Sequence, residues 1–309
     1  MNPTISIVVP CFNEEEAIPI FYNETLKVLN EKSIKSFEFV FVDDGSSDKT
    51  LDVLHELVEK DKNVHFVSFS RNFGKEAALY AGLSKACGNF ISVMDVDLQD
   101  PPSLIPPMLE AIQNEGYDCA ATRRVTRKNE PPIRSFFARK FYRIMGKLSN
   151  VPVVDGARDF RVMTRQYKDA VLSLIERNRF TKGIFPWVGF KTKWFEYENI
   201  ERVAGKTKWS FWKLFLYSID GIIGFSTKPL AFSAVAGILS LLVAFILIVF
   251  IILRKIIFDD PVQGWASLVC FITFFSGLQL FCTGISGLYI SKIYTEVKQR
   301  PIYIIREEK

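Results

Sequence analysis

FISVMDVDLQDPP, residues 90–102, joins an apolar run to a tight group of carboxylates and then to a proline pair. The run Phe90 to Met94 has the length and composition of a buried strand, and Asp95, Asp97 and Asp100 surround Gln99 directly after it. The same pattern occurs twice upstream, where Ile5 to Val9 runs into PCFNEEE and Phe37 to Val42 runs into DDGSSD. Together with Val64 to Phe69, these β-rich runs alternate with stretches of helical period near 15–28, 48–60 and 74–87. That alternation predicts an α/β domain on a doubly wound, mostly parallel sheet. Strands apolar on both faces fit helices that cover each side. In such a sheet ligands bind beyond the carboxyl ends of the strands, which is where the acidic residues gather.

This placement gives the carboxylates a chemical reading. Asp95 and Asp97 on a strand-ending turn can share a divalent cation, and Gln99 adds a neutral oxygen. Oxygen ligands alone suit Mg²⁺ or Mn²⁺. Such a cation bridges phosphate oxygens and neutralises charge as a nucleotide leaves. A lone DxD is usually a solvated loop; three acidic strand ends aimed at one edge favour a metal-nucleotide site. Other nucleotide folds fit less well. No GxGxxG follows the first strand, and the fragment Gly205 to Thr207 ends like a P-loop but has Ile200 where the first glycine belongs.

The second half of the chain reads differently. Of 309 residues, 49% are hydrophobic and 28 are Phe, rich for a soluble protein. Pro229 to Leu253 and Trp265 to Ile290 carry no charge, and each exceeds the roughly 20 residues that a membrane-crossing helix needs. Lys206, Lys208, Lys213 and Lys228 precede the first stretch and Lys292, Lys298 and Arg300 follow the second, whereas Arg254 and Lys255 between them are balanced by Asp259 and Asp260. The positive-inside bias therefore predicts an integral membrane protein with both termini cytoplasmic. No secretory signal is read at the start. The expected organisation is a catalytic domain over 1–205, an interfacial amphipathic helix over 206–228, two membrane helices over 229–291 and a cytoplasmic tail over 292–309. The five cysteines are odd in number and show no metal-ligand spacing, so they are read as reduced packing residues. The net charge of +5 fits a membrane surface better than nucleic acid, for which no motif is present.

At this point the residues carry a resemblance. VVPCFNEEEAI, VDDGSSDKT, SRNFGKEAAL, DVDLQDPP, DFRVM, TKGIFPWVGF, ERVAGKTKWS, the two-helix tail and the closing RPIYII resemble family 2 glycosyltransferases of the GT-A fold. Within that family the chain is similar to the polyprenyl-phosphate glycosyltransferases of bactoprenol glucosyltransferase type, related to dolichyl-phosphate mannose synthase. The resemblance implies a UDP-sugar donor, a polyprenyl phosphate acceptor, inversion at the anomeric carbon, Mg²⁺ or Mn²⁺, a bacterial plasma-membrane location, a homo-oligomer and a separate flippase downstream. Carried over by position, Pro10, Asn13 and Glu14 look like the first nucleotide-contacting turn, and Asp43 and Asp44 like the groups that hold uracil and ribose. Lys75 reaches the base or phosphates. Asp95 is shared between nucleotide and metal, and Asp97 and Gln99 are metal ligands. Asn13 with Glu16 also fits a helix-capping box. Asp159 takes the place of the acceptor-side carboxylate, as a base, as an orienting group, or as a structural partner of Arg158 or Arg161. Arg161, Arg202 and Lys208 are placed against the acceptor phosphate.

Two further features rest on period. From Ile133 to Leu148 apolar residues fall at helical spacing with Arg134, Arg139, Lys140, Arg143 and Lys147 between them, which reads as a basic amphipathic helix on anionic lipid with arginines on the carrier phosphate. Lys208 to Ile223 repeats the pattern with Trp209, Trp212, Phe215, Leu216, Ile219 and Ile223 beside Lys213, and for both segments the alternative is an ordinary domain-core helix. A processive polysaccharide synthase of the same superfamily would need more spans and a QxxRW motif, which RNRFTKGIFPW lacks. A non-catalytic membrane adaptor is disfavoured by the intact acidic motifs.

Overall fold

β1 (Ile5–Cys11) and β2 (Phe37–Asp43) are buried along nearly their whole length, which explains why both read as unbroken apolar runs. The structure, a computed structural model, describes residues 3–125, 146, 151, 154–198, 211–258 and 264–309. It divides into one unit of Met1–Gly221 with Arg300–Lys309 and another of Ile222–Gln299.

In the first unit the chain continues from β1 through α1 (Ala17–Glu31), β2, α2 (Thr50–Lys60), β3 (Val64–Phe69), α3 (Lys75–Lys85), β4 (Phe90–Val93), α4 (Ile105–Glu115) and β5 (Cys119–Arg124). β6 (Ala157–Thr164), α5 (Arg165–Ser173), α6 (Thr181–Trp187), β7 (Thr192–Tyr197) and α7 (Phe211–Phe225) follow. Among the described residues the strands form one sheet in the order β7-β5-β6-β4-β1-β2-β3-β8, closed at one edge by β8 (Ile305–Glu308). β4, β1, β2 and β3 run parallel, as do β5 and β7. β6 is antiparallel to both its neighbours, and β8 is antiparallel to β3.

The helices cover the sheet on both faces. Phe21 and Leu29 of α1, Leu54 of α2 and Met108 and Ile112 of α4 share a core with Ile5, Ile7, Phe39 and Phe41. On the opposite face α3 presents Ala77, Ala78 and Ala81 to Val42, Val67 and Phe69. Its Gly82 allows the close approach, because a Cβ there would lie 2.3 Å from Val8 Cγ1.

The second unit carries α8 (Lys228–Phe258) and α9 (Trp265–Val297), with segments Lys228–Arg254 and Ser267–Val297 long and apolar enough to cross a membrane. α9 runs past 291, so the segment set apart as a tail from 292 begins inside a helix and ends in the sheet of the first unit. The cysteines form no disulfide; Cys11 and Cys119 are buried as packing residues, but Cys87 is exposed. Apart from Gly146, the basic helix read over Ile133 to Leu148 lies outside the described residues, with Arg134, Arg139 and Arg143, and so do Arg202 and Lys208.

Candidate active site

The antiparallel strand β6 creates the site. Val93, the last residue of β4, lies opposite Arg161, and extending that register by two positions brings Asp95 opposite Asp159. Two carboxylates far apart in sequence thus share one edge. Lys75, the first residue of α3, reaches between them: its Nζ lies 2.6 Å from Asp95 Oδ1 and 2.6 Å from Asp159 Oδ2. Burial alone would lower the lysine's pKa, but the charges of Asp159 and Asp95 overrule it and push the group well above its ordinary range. Burial would likewise raise Asp159, but Lys75, Lys182 and Arg161 hold it well below the usual carboxylate range. Its Oδ1 is buried without a hydrogen-bond partner among the described residues, so the group has acceptor capacity left for a ligand.

The three carboxylates of DVDLQD part company. Asp97 is 7% exposed, and its Oδ1 accepts the Gln99 backbone amide at 3.2 Å, around a turn in which Leu98 takes a left-handed φ of 54°. Asp100 is fully buried; it accepts from Arg158 Nε at 3.1 Å and from the Tyr197 hydroxyl, tying this turn to β6 and β7. Asp95 and Asp97 are thus the carboxylates left at the sheet edge, with Gln99 half-buried beside them. No group of three His, Cys, Asp or Glu forms a complete metal cage among the described residues. Two carboxylates on one turn are nevertheless the usual protein share of a Mg²⁺ site whose other ligands are phosphate oxygens and water.

The other acidic ends work through their loops. Asn13, at φ 51°, donates its backbone N–H to Ser46 Oγ at 2.8 Å, while its Oδ1 accepts the Ser47 amide at 2.8 Å. The Glu14 amide donates to Thr50 Oγ1 at 2.8 Å. Asn13 therefore bridges the β1 and β2 ends instead of forming the capping box, and α1 starts without a side-chain cap. Pro10, within β1, is half-buried. Asp43 accepts from the Ser46 amide and from the Ser68 hydroxyl, at 3.0 and 2.8 Å. Asp44, 4% exposed, accepts the amides of Phe73 at 2.6 Å and Gly74 at 2.9 Å. Burial raises its pKa to about 6 against the lowering effect of those amides.

Arg161 stands differently from its reading as a phosphate ligand. It is 4% exposed, its guanidinium lies 3.5 Å above the Phe185 ring, and it donates to the backbone carbonyls of Arg158 and Asp159. Nε and Nη2 are thus engaged at the start of β6 and its flat face is engaged by Phe185 of α6. Arg158, in turn, belongs to Asp100 and not to Asp159. Sequence reasoning also passed over Glu76, the neighbour of Lys75. This half-buried carboxylate accepts from the Thr181 amide and hydroxyl, at 3.0 and 2.5 Å, and from the Tyr217 hydroxyl at 3.0 Å, joining α3 to α6 and α7. Its pKa is raised, chiefly by burial. The position of Glu76 within the quoted SRNFGKEAAL was the available signal.

The glycosyl transferase family 2 model matches residues 6–172, more than half of the chain and all of the elements that build this edge up to α5. The chain is 43% identical over 305 residues to a prophage bactoprenol glucosyl transferase homolog of Escherichia coli (strain K12), covering 99% of each. It is 42% identical over 305 residues to the bactoprenol glucosyl transferase of Shigella phage SfV, again covering 99% of each. The uncharacterized glycosyltransferase YkcC of Bacillus subtilis (strain 168) is 40% identical over 302 residues, 98% of this chain and 93% of that one. With a mixed sheet whose acidic strand ends converge on one edge, and with relatives that match it from end to end, this chain belongs to glycosyl transferase family 2.

Proposed function

We propose that this protein transfers one glucose from UDP-glucose to a polyprenyl phosphate, with inversion at the anomeric carbon. One conjunction supports the reading. Asp95, Lys75 and Asp159 meet at the carboxyl edge of the sheet, in a chain that matches bactoprenol glucosyl transferases over 98–99% of its length, two apolar C-terminal helices included.

On the donor side Pro10, Asn13, Glu14, Asp43, Asp44 and Lys75 form the nucleotide-facing edge. Asp43 and Asp44 act by fixing the turns at Ser46 and Phe73, so that backbone amides and loop side chains are preorganised for the nucleotide. Asp95, Asp97 and Gln99 would hold Mg²⁺ or Mn²⁺. When bound, that cation offsets the charge growing on the departing diphosphate. Lys75 brings a second positive charge to the same place.

On the acceptor side the nucleophile needs little help. A phosphate monoester has its second pKa near about 6, so at neutral pH its oxygen is already an anion. That oxygen forms the bond to the anomeric carbon while the bond from this carbon to the β-phosphate oxygen breaks, and the electron pair leaves with UDP. Asp159, held ionised beside Lys75, is therefore assigned an orienting role in place of a base. Arg134, Arg139, Arg143, Arg202 and Lys208 offset the repulsion between the two anions, and Arg161 positions Asp159 through the backbone. The two apolar helices anchor the enzyme in a bacterial plasma membrane with both termini cytoplasmic, as the flanking basic residues favour, and α7 lies at the interface.

The experiment is product analysis. Purified full-length enzyme with undecaprenyl phosphate and radiolabelled UDP-glucose should give a monophosphate-linked lipid carrying one β-linked hexose by mass spectrometry and NMR. A diphosphate-linked product, a ladder of sugars or a retained α linkage would overturn the reaction, and turnover of UDP-N-acetylglucosamine alone would overturn the sugar.

A further inference from the structure

The closing RPIYIIREEK has no part in the chemistry above, yet the structure gives it a definite place. β8 adds to the free edge of β3, with Phe69 opposite Ile305, Ser68 opposite Glu307 and Val67 opposite Glu308. Phe66 and Lys309 exchange backbone hydrogen bonds of 2.9 and 3.0 Å, and the Ser70 amide donates to the Ile304 carbonyl at 3.0 Å. Ahead of the strand, the Tyr303 ring stacks on Phe69 with centroids 4.9 Å apart, and Ile302 and Tyr303 pack against the core that α3 shares with β2 and β3. Phe69 in turn meets Phe73 edge to face at 5.8 Å.

The residues so covered lead directly into the site. Ser70 to Gly74 connects β3 to Lys75, and its other side is gripped by the β2 end. Asp44 accepts the Phe73 and Gly74 amides, and a Cβ on Gly45 would fall 2.4 Å from the carbonyl carbon of Arg71. The loop is thus pinned from one side by Asp44 and Gly45 and from the other by Tyr303 and Ile304. Asp44 holds two amides near its end, whereas its beginning is held at Ser70 by the C-terminal segment.

We propose that Ile302–Lys309 is a positioning strap that sets the Ser70–Gly74 loop for the donor nucleotide. The inference rests on the donor site proposed above. It requires the strap to act on donor binding without acting on the lipid acceptor, which separates it from a general stabilising role. The ion pair of Glu308 with Lys85 and the contact of Glu307 with His55 lie at the surface and add register more than strength.

The test uses full-length protein with Tyr303→Ala, with Tyr303→Phe as the control that keeps the stacked ring. Tyr303→Ala should raise the KM for the UDP-sugar about tenfold and weaken UDP binding by calorimetry to the same degree, with the KM for polyprenyl phosphate within twofold of wild type; Tyr303→Phe should match wild type. Amide exchange at Ser70, Phe73 and Gly74 should quicken in Tyr303→Ala without any ligand present. A chain ending at Arg300 should show the larger defect, and the free nonapeptide PIYIIREEK should restore UDP binding. Equal rises in both KM values, unchanged exchange at Ser70, or a truncated chain that binds UDP normally would overturn the strap. Failure of the wild type to bind UDP would overturn the donor reading instead, while the exchange measurement would still report on the strap.

Discussion

The ammonium of Lys75 lies 2.6 Å from Asp159 Oδ2, across 84 positions of sequence. The same nitrogen is 2.6 Å from Asp95, so one cation balances the carboxylates at the ends of β4 and β6 together. A structural ion pair would need only one of them. Lys75 joins the carboxylate proposed for the donor to the one proposed for the acceptor.

Replacing Lys75 with Met leaves both carboxylates without that charge. Burial then acts on Asp159 with less opposition, and its pKa moves up toward and past the ordinary carboxylate range. The sign follows. In the wild type the depressed Asp159 remains ionised throughout the working range, and its contribution is lost only as pH falls far below 4. In Lys75→Met the acid limb of the kcat/KM profile should shift to higher pH, with kcat at neutral pH down by at least about a hundredfold. An unchanged acid limb would show that Asp159 does not depend on Lys75.

Asp97→Asn tests the metal reading. The amide oxygen can still accept the Gln99 N–H, so the turn is retained and thermal unfolding should stay close to wild type. Turnover should fall by orders of magnitude because the site loses one of its two negative charges toward Mg²⁺. EDTA should silence the wild type until Mg²⁺ or Mn²⁺ is restored. Full activity in chelator would remove the metal from the mechanism.

Asp100, three residues on, should behave in the opposite way. Asp100→Ala leaves the largely buried Arg158 unpaired and the Tyr197 hydroxyl without its acceptor, a change that costs about 3–5 kcal/mol when a buried pair loses one partner. The variant should unfold at clearly lower temperature, and the protein that remains folded should keep its metal requirement. A normal melting curve with lost catalysis would mean that Asp100 belongs to the chemistry.

The difference between these two aspartates shows where the sequence stops being legible. The strands were visible because apolar runs alternate with helical period, and their acidic ends were visible because they follow those runs directly. Which carboxylate faces the site depends on partners from β6 and β7, far along the chain. Asp95 meets Asp159 only because β6 runs antiparallel beside β4, and no local pattern announces that pairing. Arg161 reads as a ligand of the acceptor phosphate until Phe185 and two backbone carbonyls engage it. β8 reads as a tail because four residues with three charges carry little strand signal; the open edge of β3 makes them a strand.

Asp44 supplies the last test, through pH. Its pKa is raised by burial from an ordinary 3.8 to about 6, so the folded protein binds a proton there more tightly than the unfolded chain does. Between these two values stability must fall as pH rises, the reverse of the Asp159 case, and above about 6 the loss is complete. The displacement corresponds to roughly 3 kcal/mol, carried at neutral pH as the burden of a buried charge that the Phe73 and Gly74 amides and the Arg71 charge offset in part. Asp44→Asn keeps an acceptor oxygen for those amides but cannot ionise. Detergent-solubilised wild type and variant should therefore differ in a pH-dependent way. From pH 4 to pH 7 the unfolding midpoint of the wild type should drop relative to that of Asp44→Asn, with most of the change complete by about pH 6.5. The donor KM of the variant should rise by no more than several-fold, since the loop is still held. Parallel stability curves for the two proteins would show that Asp44 is ionised in the folded state at no unusual cost, and that its carboxylate is solvated by the nucleotide-facing side and not by the loop alone.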